Sequence, residues 1–129
     1  MASAGRGLRV SVTLLCFLII FHVVAVKFYF YWSFWWFDLL MHIFAGMAVT
    51  LTAFYYLDGS APGAPNRKLF YQTLGTVLLL ALLWELYEFF TGATYTAAYM
   101  YFIDSGSDIL MDIVGWIIGL SIAYGTTRA

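Results

Sequence analysis

The chain has 129 residues, of which 64% are hydrophobic and 10% charged, with a formal net charge of -1 and a mean hydropathy of +0.87. A soluble domain carries roughly a quarter of its residues as charged side chains, so this composition is that of a membrane protein. There is no basic tract to hold nucleic acid or an acidic lipid patch, and none of these partners is expected.

At roughly 20 apolar residues per crossing, the length accommodates four helices with short connections in a single domain. The reading is an all-α membrane protein with four transmembrane helices in one bundle, over residues 8–28, 34–57, 69–90 and 105–124. Arg6 and Arg9 precede span one as in a signal peptide, but no small-x-small site follows and the apolar run continues past Val26, so an uncleaved first span is expected. The single cysteine, Cys16, lies in that run and cannot form an intramolecular disulfide; a buried structural thiol is expected.

Residues 28–37 are almost entirely aromatic, which suits an interfacial turn between spans one and two, where rings anchor at the headgroups. Span two ends at a Gly/Pro-rich stretch, residues 58–65, the main loop. Span three closes in Trp84-Glu-Leu-Tyr-Glu88. A small polar segment, residues 91–96, follows it, and residues 95–102 fit a short interfacial helix before span four.

Arg6, Arg9, Arg67, Lys68 and Arg128 then share one side of the membrane, against Lys27 alone on the other. The positive-inside rule puts both termini and the Gly/Pro loop in the cytoplasm of a cell inner (cytoplasmic) membrane.

That topology fixes depth. Asp38 and His42 open span two, Glu85 and Glu88 close span three, and Asp104, Asp108 and Asp112 open span four, so six of the seven acidic residues gather in the outer half. Spacings of three and four place each set on one helix face. Ionised carboxylates facing lipid cost several kcal/mol, about 2.5 or more each, so these stripes are expected to face one another. They cannot all stay charged in a poorly hydrated pocket without a neutralising proton, metal ion or cationic ligand.

Asp38, His42, Glu85, Asp108 and Asp112 are the expected ligands of a divalent metal: Mg²⁺, Ca²⁺ or Mn²⁺ by their oxygens, Zn²⁺ or iron with the imidazole. Glu88 and Asp104, at the mouth, are the expected catalytic general bases. Structural roles also fit three residues: a helix N-cap for Asp104, headgroup solvation for Glu88 and interfacial anchoring for Trp84. His22 reads as a hydrogen-bonded core residue rather than a ligand. Gly115 and Gly119 allow close approach of another backbone, either span two through Ala45, Gly46 and Ala48 or a second protein.

The motifs Phe37-Asp-Leu-Leu-Met-His42, Trp84-Glu-Leu-Tyr-Glu88 and Asp104-x-x-x-Asp108-x-x-x-Asp112-x-x-Gly115 resemble those of the VanZ-like and YjdF-like small bacterial membrane proteins. The resemblance runs from span two onward. It implies a shared helical pattern and polar residue set, with a named member linked to glycopeptide antibiotic tolerance.

Three functions compete. The first is metal-dependent hydrolysis or transfer on a lipid or headgroup substrate, with membrane lipids as partners. The second is a non-catalytic subunit packing against other membrane-protein subunits. The third is a proton or cation pathway, against which the inner halves of the spans offer only Thr50, Thr52, Gln72 and Thr73.

Overall fold

The computed structural model describes residues 2–58, 66–92 and 98–128, with side chains described for all of these except 2–4, 58, 98–99 and 127–128. Five helices follow in chain order: α1 (Ala2–Lys27), α2 (Phe30–Ser33), α3 (Phe37–Asp58), α4 (Arg67–Thr91) and α5 (Ala98–Arg128). All but the single turn of α2 are long and apolar enough to cross a membrane, which makes the chain a four-span all-α membrane protein. Most of the expected Gly/Pro loop (residues 59–65) and most of the segment after span three (residues 93–97) lie outside the described residues.

Local chemistry sets the helix ends. Asn66 caps α4 by accepting from the Lys68 N–H at 2.9 Å, and Gly92 closes it at φ 62, its N–H donating to the Glu88 carbonyl at 2.9 Å. The aromatic tract makes the expected turn. Tyr29 at φ 59 separates α1 from α2, and Trp32, Trp35 and Trp36 stay exposed, as rings suited to a headgroup interface would.

α5 begins earlier than expected. Residues 98–102 are its first turns rather than a separate interfacial helix, and Asp104 lies well inside it rather than at an N-cap. No helix-breaking residue separates Ala98 from Ser105, so the backbone ladder continues.

The central pair is α3 and α5, running parallel. At Gly46 an added Cβ would stand 2.9 Å from the Asp112 carbonyl carbon, at Gly115 2.8 Å from the Met47 nitrogen, and at Gly119 2.9 Å from the Met47 carbonyl oxygen. Between lipid-embedded helices, close backbone packing of this kind supplies the association that water-driven burial supplies elsewhere. The expected Gly-x-x-x-Gly seam is thus filled from within the chain. α4 packs antiparallel on both, presenting Leu69, Thr73, Val77, Ala81, Glu85 and Glu88 inward.

In the half away from the acidic residues, Phe54, Leu69, Val77, Trp116, Leu120 and Ala123 form an apolar core, and the Trp116 indole donates to Thr73 Oγ1 at 3.1 Å. Among the described residues α1 packs its backbone on α3 alone of the long helices and covers it through a stripe seven residues apart, Ser11, Leu18 and Ala25. Cys16 lies about 200° round the helix from Leu18. Its thiol is therefore exposed, which corrects the expected buried thiol.

Candidate metal centre

The acidic stripes converge. His42, one turn into α3, occupies the centre: its Nδ1 stands 3.0 Å from Asp112 Oδ2, and its Nε2 faces Asp38 Oδ1 at 3.7 Å and Asp108 Oδ2 at 4.0 Å. The parallel register of α3 and α5 creates this arrangement, because Gly46 brings the α5 backbone at Asp112 against α3 one turn below the ring.

Asp112 stands behind the imidazole rather than in front of it. Its carboxylate accepts from Nδ1–H in the tautomer that leaves the Nε2 lone pair directed at Asp38 and Asp108. A carboxylate holding a ligating histidine in this way fixes ring orientation and raises its basicity.

Two groups of side chains can each bring ligand atoms within 4.8 Å of one another: Asp38, His42 and Asp108, and Glu85, Glu88 and Asp108. Asp108 belongs to both. Burial is deep, with relative exposures of 5% at His42, 6% at Glu85, 3% at Glu88, 1% at Asp108 and 5% at Asp112. Glu88 is therefore an interior residue, not one solvated among headgroups.

Asp108 Oδ1 and Glu85 Oε1 are buried with no hydrogen-bond partner. Unpartnered buried carboxylate oxygens are costly, and a proton or a bound cation would offset them. Among the described residues no Lys or Arg pairs with Asp38, Glu85, Glu88, Asp108 or Asp112. The oxygen-rich set with one imidazole fits a divalent metal of the kinds expected.

Asp104 is half-buried, one turn outward of Asp108, and near enough to Asp38 and Asp108 for their charges to interact. Beside the cluster, Tyr31 of the aromatic turn meets His22 Nδ1 at 2.7 Å, and His22 packs edge-on against Trp84 with centroids 4.8 Å apart. Burial, then the negative charges of Asp38 and Glu88, push the Tyr31 phenol above its ordinary range, so it remains an O–H group. Of the alternatives for these two residues, His22 is the hydrogen-bonded interior residue expected, while Trp84 is an inward wall rather than solely an anchor. Tyr31 carried no signal in the sequence beyond its place among many rings.

A cavity of about 500 Å³ opens beside the cluster. Leu15, Leu18 and Ile19 of α1 and Val77, Leu80 and Ala81 of α4 form apolar walls, and Asp38, His42 and Asp112 stand at the polar end.

Fold and site together define a polytopic helical membrane protein with an interior carboxylate–imidazole cluster. The sequence profile of the family described as "Predicted membrane protein (DUF2238)" matches residues 7–129, and the chain belongs to that family. No curated protein and no solved structure matches it.

Proposed function

We propose that the cluster binds a divalent cation between Asp38, His42 and Asp108, and that this centre serves hydrolytic or transfer chemistry on a membrane lipid or its headgroup. One observation carries the reading: the deeply buried Asp108 carboxylate has an oxygen with no hydrogen-bond partner among the described residues. A cation held there polarises a substrate oxygen and makes bound water more acidic.

The chain's own residues do the rest. Asp112 holds the His42 ring, and Asp104, at the half-buried outer edge, accepts a proton from the attacking group. Glu88 is the second candidate base so long as its carboxylate holds no ion itself. The cavity supports a lipid substrate, since its apolar walls suit a hydrocarbon chain while its polar end adjoins Asp38 and His42.

In this reading the arginine-rich side faces the cytoplasm, both termini with it, and the centre opens to the outer half of the inner membrane.

Elemental analysis of protein purified in mild detergent without chelators tests the proposal, comparing the natural chain with an Asp38→Asn, Asp108→Asn double variant. Near-stoichiometric metal, lost in the variant, is the expected result. Metal in neither refutes the centre and puts the non-catalytic subunit in front.

A further inference from the structure

Resting on that cation site, we infer that the cluster is a two-cation centre, with a second divalent ion held by Glu85, Glu88 and Asp108, and with Asp108 bridging the two.

The geometry provides two pockets rather than one. The Asp38–His42–Asp108 group is built on α3 and the Glu85–Glu88–Asp108 group on α4, and Asp108 of α5 belongs to both. Asp108 Oδ2 lies toward His42, 4.0 Å from Nε2, while Oδ1 is buried and unpartnered. A carboxylate shared by both groups, with its second oxygen left unpartnered, is suited to bridging ions about 3.5–4 Å apart, the separation usual in two-metal sites.

The second observation is independent of Asp108. Glu85 Oε1 is also buried without a partner, and Glu85 belongs only to the α4 group. An ion between Asp38, His42 and Asp108 leaves that oxygen bare.

Charge counting leads to the same result. Asp38, Glu85, Glu88, Asp108 and Asp112 are gathered with one imidazole, which is neutral when its Nε2 lone pair serves as a ligand. With all five ionised, one divalent ion leaves three of their negative charges uncompensated in a low-dielectric interior and two leave one; protons on the carboxylates are the competing neutraliser. An uncompensated buried charge is strongly destabilising, so the occupied centre favours the second ion.

The α4 group is also anchored. The Tyr101 hydroxyl on α5 donates to the Glu85 carbonyl at 3.0 Å, which ties the end of α4 to α5, and Trp84 hydrogen-bonds the Glu88 carboxylate.

The test uses the full chain in detergent with Mn²⁺ as probe, reading bound metal per chain at saturation and electron paramagnetic resonance. Two Mn²⁺ per chain with an exchange-coupled spectrum are expected. Glu88→Gln, which keeps shape and removes charge, is expected to weaken the second ion at least tenfold and leave one Mn²⁺ with an uncoupled six-line signal.

Saturation at one Mn²⁺, lost in Asp38→Asn but unaffected by Glu88→Gln, overturns the second ion and leaves the first. Two ions without coupling overturn the Asp108 bridge. No bound Mn²⁺ overturns both this inference and the cation site beneath it. The natural chain's stoichiometry and coupling decide the matter even where a variant does not fold.

Discussion

Replacing Gly46 by alanine tests whether the α3–α5 seam sets the site. The new Cβ would stand 2.9 Å from both the carbonyl carbon and the Cα of Asp112, and nearer still to the carbonyl oxygen. Restoring ordinary contact separates the helices by about 1 Å, given carbon contact optima of about 3.5–4.0 Å. His42 lies one turn away on the same face, so a rigid retreat stretches its 3.0 Å bond to Asp112 to about 4 Å, beyond hydrogen-bond range. Overpacking costs about 1–3 kcal/mol and the lost bond to a charged group about 1.5–3 kcal/mol, or about 2.5–6 kcal/mol together. With the imidazole released, cation affinity is expected to fall about 10–100-fold. Thermal unfolding in detergent and Mn²⁺ titration read the two effects. Gly75→Ala, where an added Cβ meets nothing within 4 Å, is the control and should be neutral or slightly stabilising. A Gly46→Ala protein equal to the natural chain in both measurements would refute the seam's role.

Asp112→Asn should keep the fold but lower Mn²⁺ affinity about 10–100-fold, by titration, because the ring loses its anionic partner. Metal affinity should fall as pH is lowered, since protons compete for the carboxylates and imidazole, and binding should release protons measurable in weak buffer. Trp116→Phe removes the bond to Thr73 and should destabilise by about 1 kcal/mol, read from thermal unfolding, with no change in metal stoichiometry. Cys16, exposed on α1, should react with a membrane-permeant maleimide and not with a charged one, and Cys16→Ala should change stability by less than about 0.5 kcal/mol.

Much of this was legible before the fold was known, because the bilayer simplifies the code. A run such as residues 8–28 has one stable form in lipid, a helix, and two consecutive spans must return to the same side. The depths of Asp38, Glu85 and Asp108 followed directly. Rotation did not: α4 is apolar nearly all round, so only packing decides that Glu85 and Glu88 point inward and Tyr87 and Phe89 outward.

Nor could spacing separate the roles of Asp108 and Asp112. They share one face of α5, and the register against His42 alone sends one to Nε2 and the other to Nδ1. Cys16 was misplaced for a related reason. Hydropathy ranks thiols as interior groups, but on a helix with a single neighbour most positions meet lipid, which is as apolar as any core.

The position of α1 has a kinetic consequence. Among the described residues its backbone packs on α3 alone of the long helices, and the edge-to-face ring pair of His22 against Trp84 links it to α4. Parting such a pair costs about 0.5–1.5 kcal/mol, a penalty that thermal motion meets readily. The hydrocarbon chain of the proposed lipid substrate would then enter sideways from the bilayer, between α1 and α4, without passing through water. Turnover by such a centre would depend on how much substrate lies dissolved in the membrane around it, not on its aqueous concentration.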